Sequence, residues 1–243
     1  MDNLYLLMII ALAFLAIADL VVGVSNDAVN FLNSAIGSKA ISFRTIMIVA
    51  SLGIAIGAIF SSGMMEVARK GIFHPGEFMF AEIMIIFMAV MITDILLLDF
   101  FNTVGMPTST TVSIVFELLG ASVAMSFIKI ASSGGDYIDI YNYINTSKAT
   151  EIIMGILLSV VIAFTVGALV QYVSRILLSF DFRKKAKVFG ALFGGIALTA
   201  ITYFILIKGL KGATFVSDDL IVYIQNNTSK IVIGSLVLWT LIA

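Results

Sequence analysis

Two clusters of polar residues interrupt an otherwise apolar chain. The first is Gly23-Val24-Ser25-Asn26-Asp27-Ala28-Val29-Asn30-Phe31-Leu32-Asn33. Asp27 offers anionic oxygens to a cation, and the asparagine amides both donate and accept hydrogen bonds. Asn26, Asn30 and Asn33 are spaced four and three apart, so on a helix they share one face. Ala28, Val29 and Phe31 then turn elsewhere, towards packing. The second cluster is Asn102-Thr103-Val104-Gly105-Met106-Pro107-Thr108-Ser109-Thr110-Thr111. Gly-x-Pro breaks a helix, and proline is favoured in the first turn of the helix that follows. Thr108, Ser109, Thr110 and Thr111 are therefore predicted at a helix N-terminus, where free amides and the positive dipole end attract anions. Four consecutive hydroxyls add donors that suit a tetrahedral oxyanion, phosphate or sulfate, without a lysine. Each cluster alone also fits a plainer reading. Asn26-Asp27 could end a span at the water surface, and a Ser/Thr run is an ordinary helix cap.

The elements that must carry these residues are membrane helices. The chain has 243 residues, 60% of them hydrophobic and 12% charged, about half the charge of a soluble domain. Apolar segments lie near 4–24, 46–68, 78–101, 112–131, 150–178 and 188–207, with a last one from Lys230. A span needs roughly 20 apolar residues and must pair its own backbone, so each is predicted helical. Leu4 to Gly37 carries no basic charge and is too long for one straight span, which predicts a helix broken at Asn26-Asp27, with unwound backbone lining a cavity. The final segment, Lys230 to Ala243, is too short to cross, so the chain is expected to stop inside a helix of a longer protein. The net charge of −1 leaves no face for nucleic acid, and cysteine is absent. Asp181-Phe182-Arg183-Lys184-Lys185-Ala186-Lys187 reads as a cytoplasmic connection. Among the intramembrane acids Glu82, Asp94, Asp99 and Glu117, Asp94 and Asp99 lie about 140° apart around a helix and share no face. They are expected to pair with other helices or to bind cations. No nucleophile–base pair or metal-ligand cluster suggests an enzyme.

Taken together, the two clusters resemble the paired signatures of the inorganic phosphate transporter (PiT) family. Gly23 to Asn30 is similar to its Gly-Ala-Asn-Asp-Ala-Ala-Asn element, with an extra Ser25, and Pro107 to Thr111 to its Pro-x-Ser-Thr-Thr element. The separation of about 80 residues and the intervening Glu66-x-x-Arg69-Lys70-Gly71 fit as well. The resemblance implies an all-α, polytopic bundle with broken or re-entrant helices, built from two inverted repeats that each supply both motifs. Residues 1–243 would form a single transmembrane domain of the plasma (inner) membrane, with one repeat near 4–131. Carried over by motif, Asn26, Asp27, Ser109, Thr110 and Thr111 would bind phosphate, and Asp27, Asn30 and Thr108 the coupling cation, with sodium at Asp27. The implied function is alternating-access transport of phosphate with sodium or protons, needing no other cofactor. The second repeat, or a homodimer in its place, would complete the carrier. The alternatives are a carrier of another oxyanion such as sulfate, and a non-transporting scaffold or regulatory subunit whose polar clusters glue helices together.

Overall fold

The computed structural model describes residues 2–59, 71–179, 182–210 and 216–243. They divide into two compact units, one of residues 1–51 and 68–153 and the other of 52–67 and 154–243. The described residues are helical, and among them five helices are long and apolar enough to cross a membrane. The chain is thus a multi-pass membrane protein, with large apolar side chains such as Phe14 (70% exposed) and Phe164 (78%) left uncovered by the protein's own packing.

In the first unit, α1 spans Asp2–Ser38, 37 residues or about 55 Å of continuous helix. The expected break at Asn26-Asp27 is absent. Ser25 turns its hydroxyl back onto the Val21 carbonyl (2.8 Å), and Asn26 bonds outside its own helix, so neither side chain competes for the local backbone. The second helix, α2, covers Phe43–Ile59. What the sequence reading assigned to residues 60–68, and the Glu66, Arg69 and Lys70 positions, lies outside the described residues.

Helices α3 (Phe80–Val104) and α4 (Thr110–Ser133) follow. The turn between them is set by Gly105, whose φ of 73° is left-handed. Its N–H bonds the Asn102 carbonyl (3.1 Å) and the N–H of Met106 that of Phe101 (3.0 Å), which satisfies the last carbonyls of α3 and ends it. The far end of this hairpin is pinned by Lys129 of α4. Its ammonium donates to Glu82 (2.9 Å) and to the Glu77 carbonyl (2.7 Å), and lies 5.7 Å from the Phe78 ring centre. Glu82 in turn caps the Met79 N–H (2.7 Å). A core of Ile72, Phe73, Phe78, Ile86, Val90, Leu118 and Ile144 lies between the two helices and the segment before α3. That segment is stitched by His74 N–H to the Tyr143 carbonyl (2.8 Å) and Asn145 N–H to that of Ile72 (3.0 Å).

The helix α5 covers Thr146–Leu178, the unit boundary falling after Ile153. In the second unit a helical stretch runs from Phe182 to Gly209, with α6 (Ala191–Tyr203) flanked by wider turns at Ala186–Gly190 and Phe204–Gly209. The basic run expected in a connection instead belongs to the start of this stretch, because Phe182–Lys185 is already helical. α7 (Asp218–Asn226) and α8 (Thr228–Ile242) complete it. α6 and α8 meet so closely that a Cβ placed on Gly195 would lie 2.9 Å from the Thr240 Cα. Trp239 donates its indole N–H to the Thr202 hydroxyl (2.9 Å).

Candidate functional site

Asn26 is the hinge-pin of the site. Its side chain is fully buried and clips the peptide groups of the α3–α4 loop as another strand would. The amide Nδ2 donates to the Thr108 carbonyl (2.6 Å), and Oδ1 accepts the Thr108 N–H (3.1 Å). One turn back, Asn102 donates to the Val22 carbonyl at 3.3 Å. These contacts join residues 80 or more apart in sequence and hold the tip of α4 against the middle of α1.

The neighbouring residues fall into place around that clip. Asp27, next along α1, faces Thr110, which donates its hydroxyl to the carboxylate at 3.2 and 3.5 Å. Both distances are long for an O–H···O bond. Ser109 is the N-cap of α4. Its Oγ accepts the Val112 N–H (3.4 Å), leaving its own O–H free to donate outwards. Thr110 and Thr111 occupy the first two helical positions, whose N–H groups no carbonyl of the helix can reach. Pro107 and Thr108 precede the helix rather than opening it, a correction to the sequence expectation. Ser109 is the better cap, and the Thr108 backbone is committed to Asn26.

Beside that clip lies an open cavity of about 390 Å³ lined by Asp27, Asn30, Phe31, Pro107, Thr108, Ser109, Thr110 and Thr111. Asn33 lines an adjoining space with Asn30 and Pro107. The asparagine face predicted from spacing therefore exists, with a division of labour. Asn26 is structural and inward, while Asn30 and Asn33 reach towards open space. Phe31 is no packing residue, since it is 78% exposed and borders the cavity. The lining contains one carboxylate and no lysine or arginine. It offers an anion hydroxyls and the free first-turn amides of α4, which carry the helix's positive end, and it offers a cation the oxygens of Asp27 and Asn30. A larger cavity, about 660 Å³, lies at the loop end of α4 beside His74 and Tyr143 and holds none of the predicted residues.

The sequence pattern of the Phosphate transporter family matches residues 23–239. This chain belongs to that family. Similar curated proteins include a "Putative phosphate permease" of Thermococcus kodakarensis, 26% identical over 196 residues, and one of Pyrococcus furiosus, 28% identical over 196 residues. These alignments cover 77% of this chain, 44% of the first relative and 43% of the second. The chain thus spans less than half the length of the curated relatives it matches. A solved structure titled "The sodium-dependent phosphate transporter" superposes with a TM-score of 0.72 at 19% identity, over 96% of this chain and 54% of the other. At that identity the likeness establishes the fold.

One residue of consequence escaped the sequence reading. Asn102 was placed in the second cluster with no task of its own.

Proposed function

We propose that this chain forms one half of a carrier that moves inorganic phosphate across the membrane together with a coupling cation. The observation that carries the reading is the Asn26 clip, which brings Asp27 and the amide-bearing tip of α4 to one cavity. Phosphate would be held by the Ser109 and Thr111 hydroxyls and the first amides of α4. Thr110 is engaged with Asp27 and would position that carboxylate as well as touch the anion. Sodium, carried as a co-substrate, would bind Asp27, Asn30 and Thr108. Because α1 stays wound, its carbonyls near Asp27 are used within the helix, so the cation's oxygens must come from side chains and the α3–α4 loop.

Charge balance supplies the coupling. Two anions about 4 Å apart at an effective permittivity of about 20 repel by roughly 4 kcal/mol. A cation at Asp27 cancels this repulsion, which links the two bindings as one shared free energy. Asp27 also favours phosphate over sulfate. Near neutral pH phosphate keeps at least one P–OH that a carboxylate can accept, whereas sulfate has no proton to give. A second pair of motifs, from the other repeat or from a second copy of this chain, would face this one, and rocking between the halves would expose the cavity to each side in turn. Uptake of radiolabelled phosphate into liposomes holding the full-length carrier tests the reading. Sodium-stimulated uptake that excess sulfate leaves intact is expected. Equal inhibition by sulfate, or no flux at all, would remove it.

A further inference from the structure

We propose that the basic start of the helical stretch Phe182–Gly209 is a binding surface for the headgroups of anionic phospholipids. Arg183, Lys184, Lys185 and Lys187 place four positive charges within five residues, and no acid stands between Phe182 and Gly190. The chain is helical from Phe182 onwards, so these charges belong to a segment that can cross the membrane and not to a connection free in water. Arg183 and Lys187, four apart, share one side of the helix, with Lys184 beside them. All three are exposed, whereas Lys185, Ala186 and Phe189 are half-buried.

Their depth follows from the helix. The apolar exterior begins at Val188, which is 67% exposed, and continues through Leu192 and Phe193. From Arg183 to Val188 the rise is at most about 7.5 Å. A bilayer about 40–45 Å thick with a hydrocarbon core of about 30 Å leaves roughly 5–8 Å of headgroup on each side. The four cations therefore stand at the level of the lipid phosphates. Phe182, 60% exposed, joins them as an interfacial aromatic residue. Long Lys and Arg stems lie along an apolar helix while their heads reach polar oxygens, and the arginine fork can hold a phosphate by two bonds.

Among the described residues no acid balances this charge. The ion pairs there are Lys129 with Glu82 and Lys148 with Glu151. Helix formation does not account for the basic run either, because the positive end of the helix dipole disfavours cations in the first turn. Past the other end of the stretch the balance differs. From Phe204 to Asn226, Lys208 and Lys211 are offset by Asp218 and Asp219. The uncompensated charge is thus gathered at one membrane surface, the one that the sequence assigns to the cytoplasm. A leaflet carrying anionic lipid complements it, each Lys or Arg at the surface contributing roughly fivefold in affinity. A zwitterionic lipid offers the same phosphate without the net charge.

Lipid binding to the purified full-length protein in nonionic detergent tests the surface. Native mass spectrometry counts the phosphatidylglycerol or phosphatidylcholine, of identical acyl chains, that binds across a titration. Phosphatidylglycerol should bind at least tenfold more tightly, and concentrated potassium chloride should erase most of that preference. Lys184→Gln alone should lower the affinity for phosphatidylglycerol roughly fivefold. Combining R183Q, K184Q and K187Q should abolish the preference while elution, melting and binding of radiolabelled phosphate stay as in wild type. Equal binding of the two lipids to wild type would overturn the proposal, as would a preference kept by the triple variant. Displacement of the lipid by millimolar inorganic phosphate would assign the charges to a free anion, and tighter capture of polyglutamate would assign them to an acidic protein; either result overturns it. If the triple variant does not fold, the salt dependence and Lys184→Gln decide the matter. Lipid selectivity is read without flux, so it stands or falls apart from the transport reading.

Discussion

Replacing Asn26 by alanine tests whether a single amide builds the site. The change leaves the Thr108 N–H and C=O without the partners they now have at 3.1 and 2.6 Å, beneath a side chain that is fully buried. An unpaired buried polar group costs about 1–3 kcal/mol. Two such groups, partly relieved by water entering the vacated space, put the loss at about 2–4 kcal/mol. If that energy holds the α3–α4 loop against α1, freeing the loop should weaken phosphate binding at least tenfold, since 1.4 kcal/mol corresponds to a factor of ten. Asn26→Asp is the sharper variant. It keeps the acceptor for the Thr108 N–H but sets an anionic oxygen against the Thr108 carbonyl and beside Asp27, so it should be no better than alanine. Thermal melting of the detergent-solubilised carrier and equilibrium binding of radiolabelled phosphate read the two effects separately. Melting and affinity both unchanged in Asn26→Ala would refute the clip as the organising contact.

Other substitutions probe the remaining contacts. Ser109→Ala removes the N-cap of α4 and one outward hydroxyl. It should cost about 1 kcal/mol of stability and also raise the half-saturation concentration for phosphate, whereas Ser109→Asp should restore the cap but not the affinity. Gly195→Ala should destabilise the second unit by more than a propensity change, because the new methyl meets the Thr240 backbone as well as its side chain, and the backbone cannot rotate away. A melting profile equal to wild type would contradict that packing.

Much of the framework was legible because the membrane makes one demand of every segment. Apolar runs predicted near 78–101 and 112–131 appear as Phe80–Val104 and Thr110–Ser133, since in lipid a long apolar run has only the helix available. Gly105 and Pro107 marked the α3–α4 turn for equally local reasons. The continuity of α1 was not legible. Asn-Asp reads as a breaker when its side chains are free to bond the local backbone, and only the fold reveals that Asn26 is engaged 82 residues away. The start of α4 moved from Thr108 to Thr110 for the same reason.

The central claim is that one cavity binds an oxyanion and a cation against the same carboxylate, and calorimetric titration of phosphate into the purified full-length carrier at fixed pH addresses it most directly. Wild type should bind phosphate at least tenfold more tightly in sodium than in choline, and Asp27→Asn should erase that difference while the protein stays folded. A sodium effect of the same size in Asp27→Asn, or none in wild type, would contradict the account.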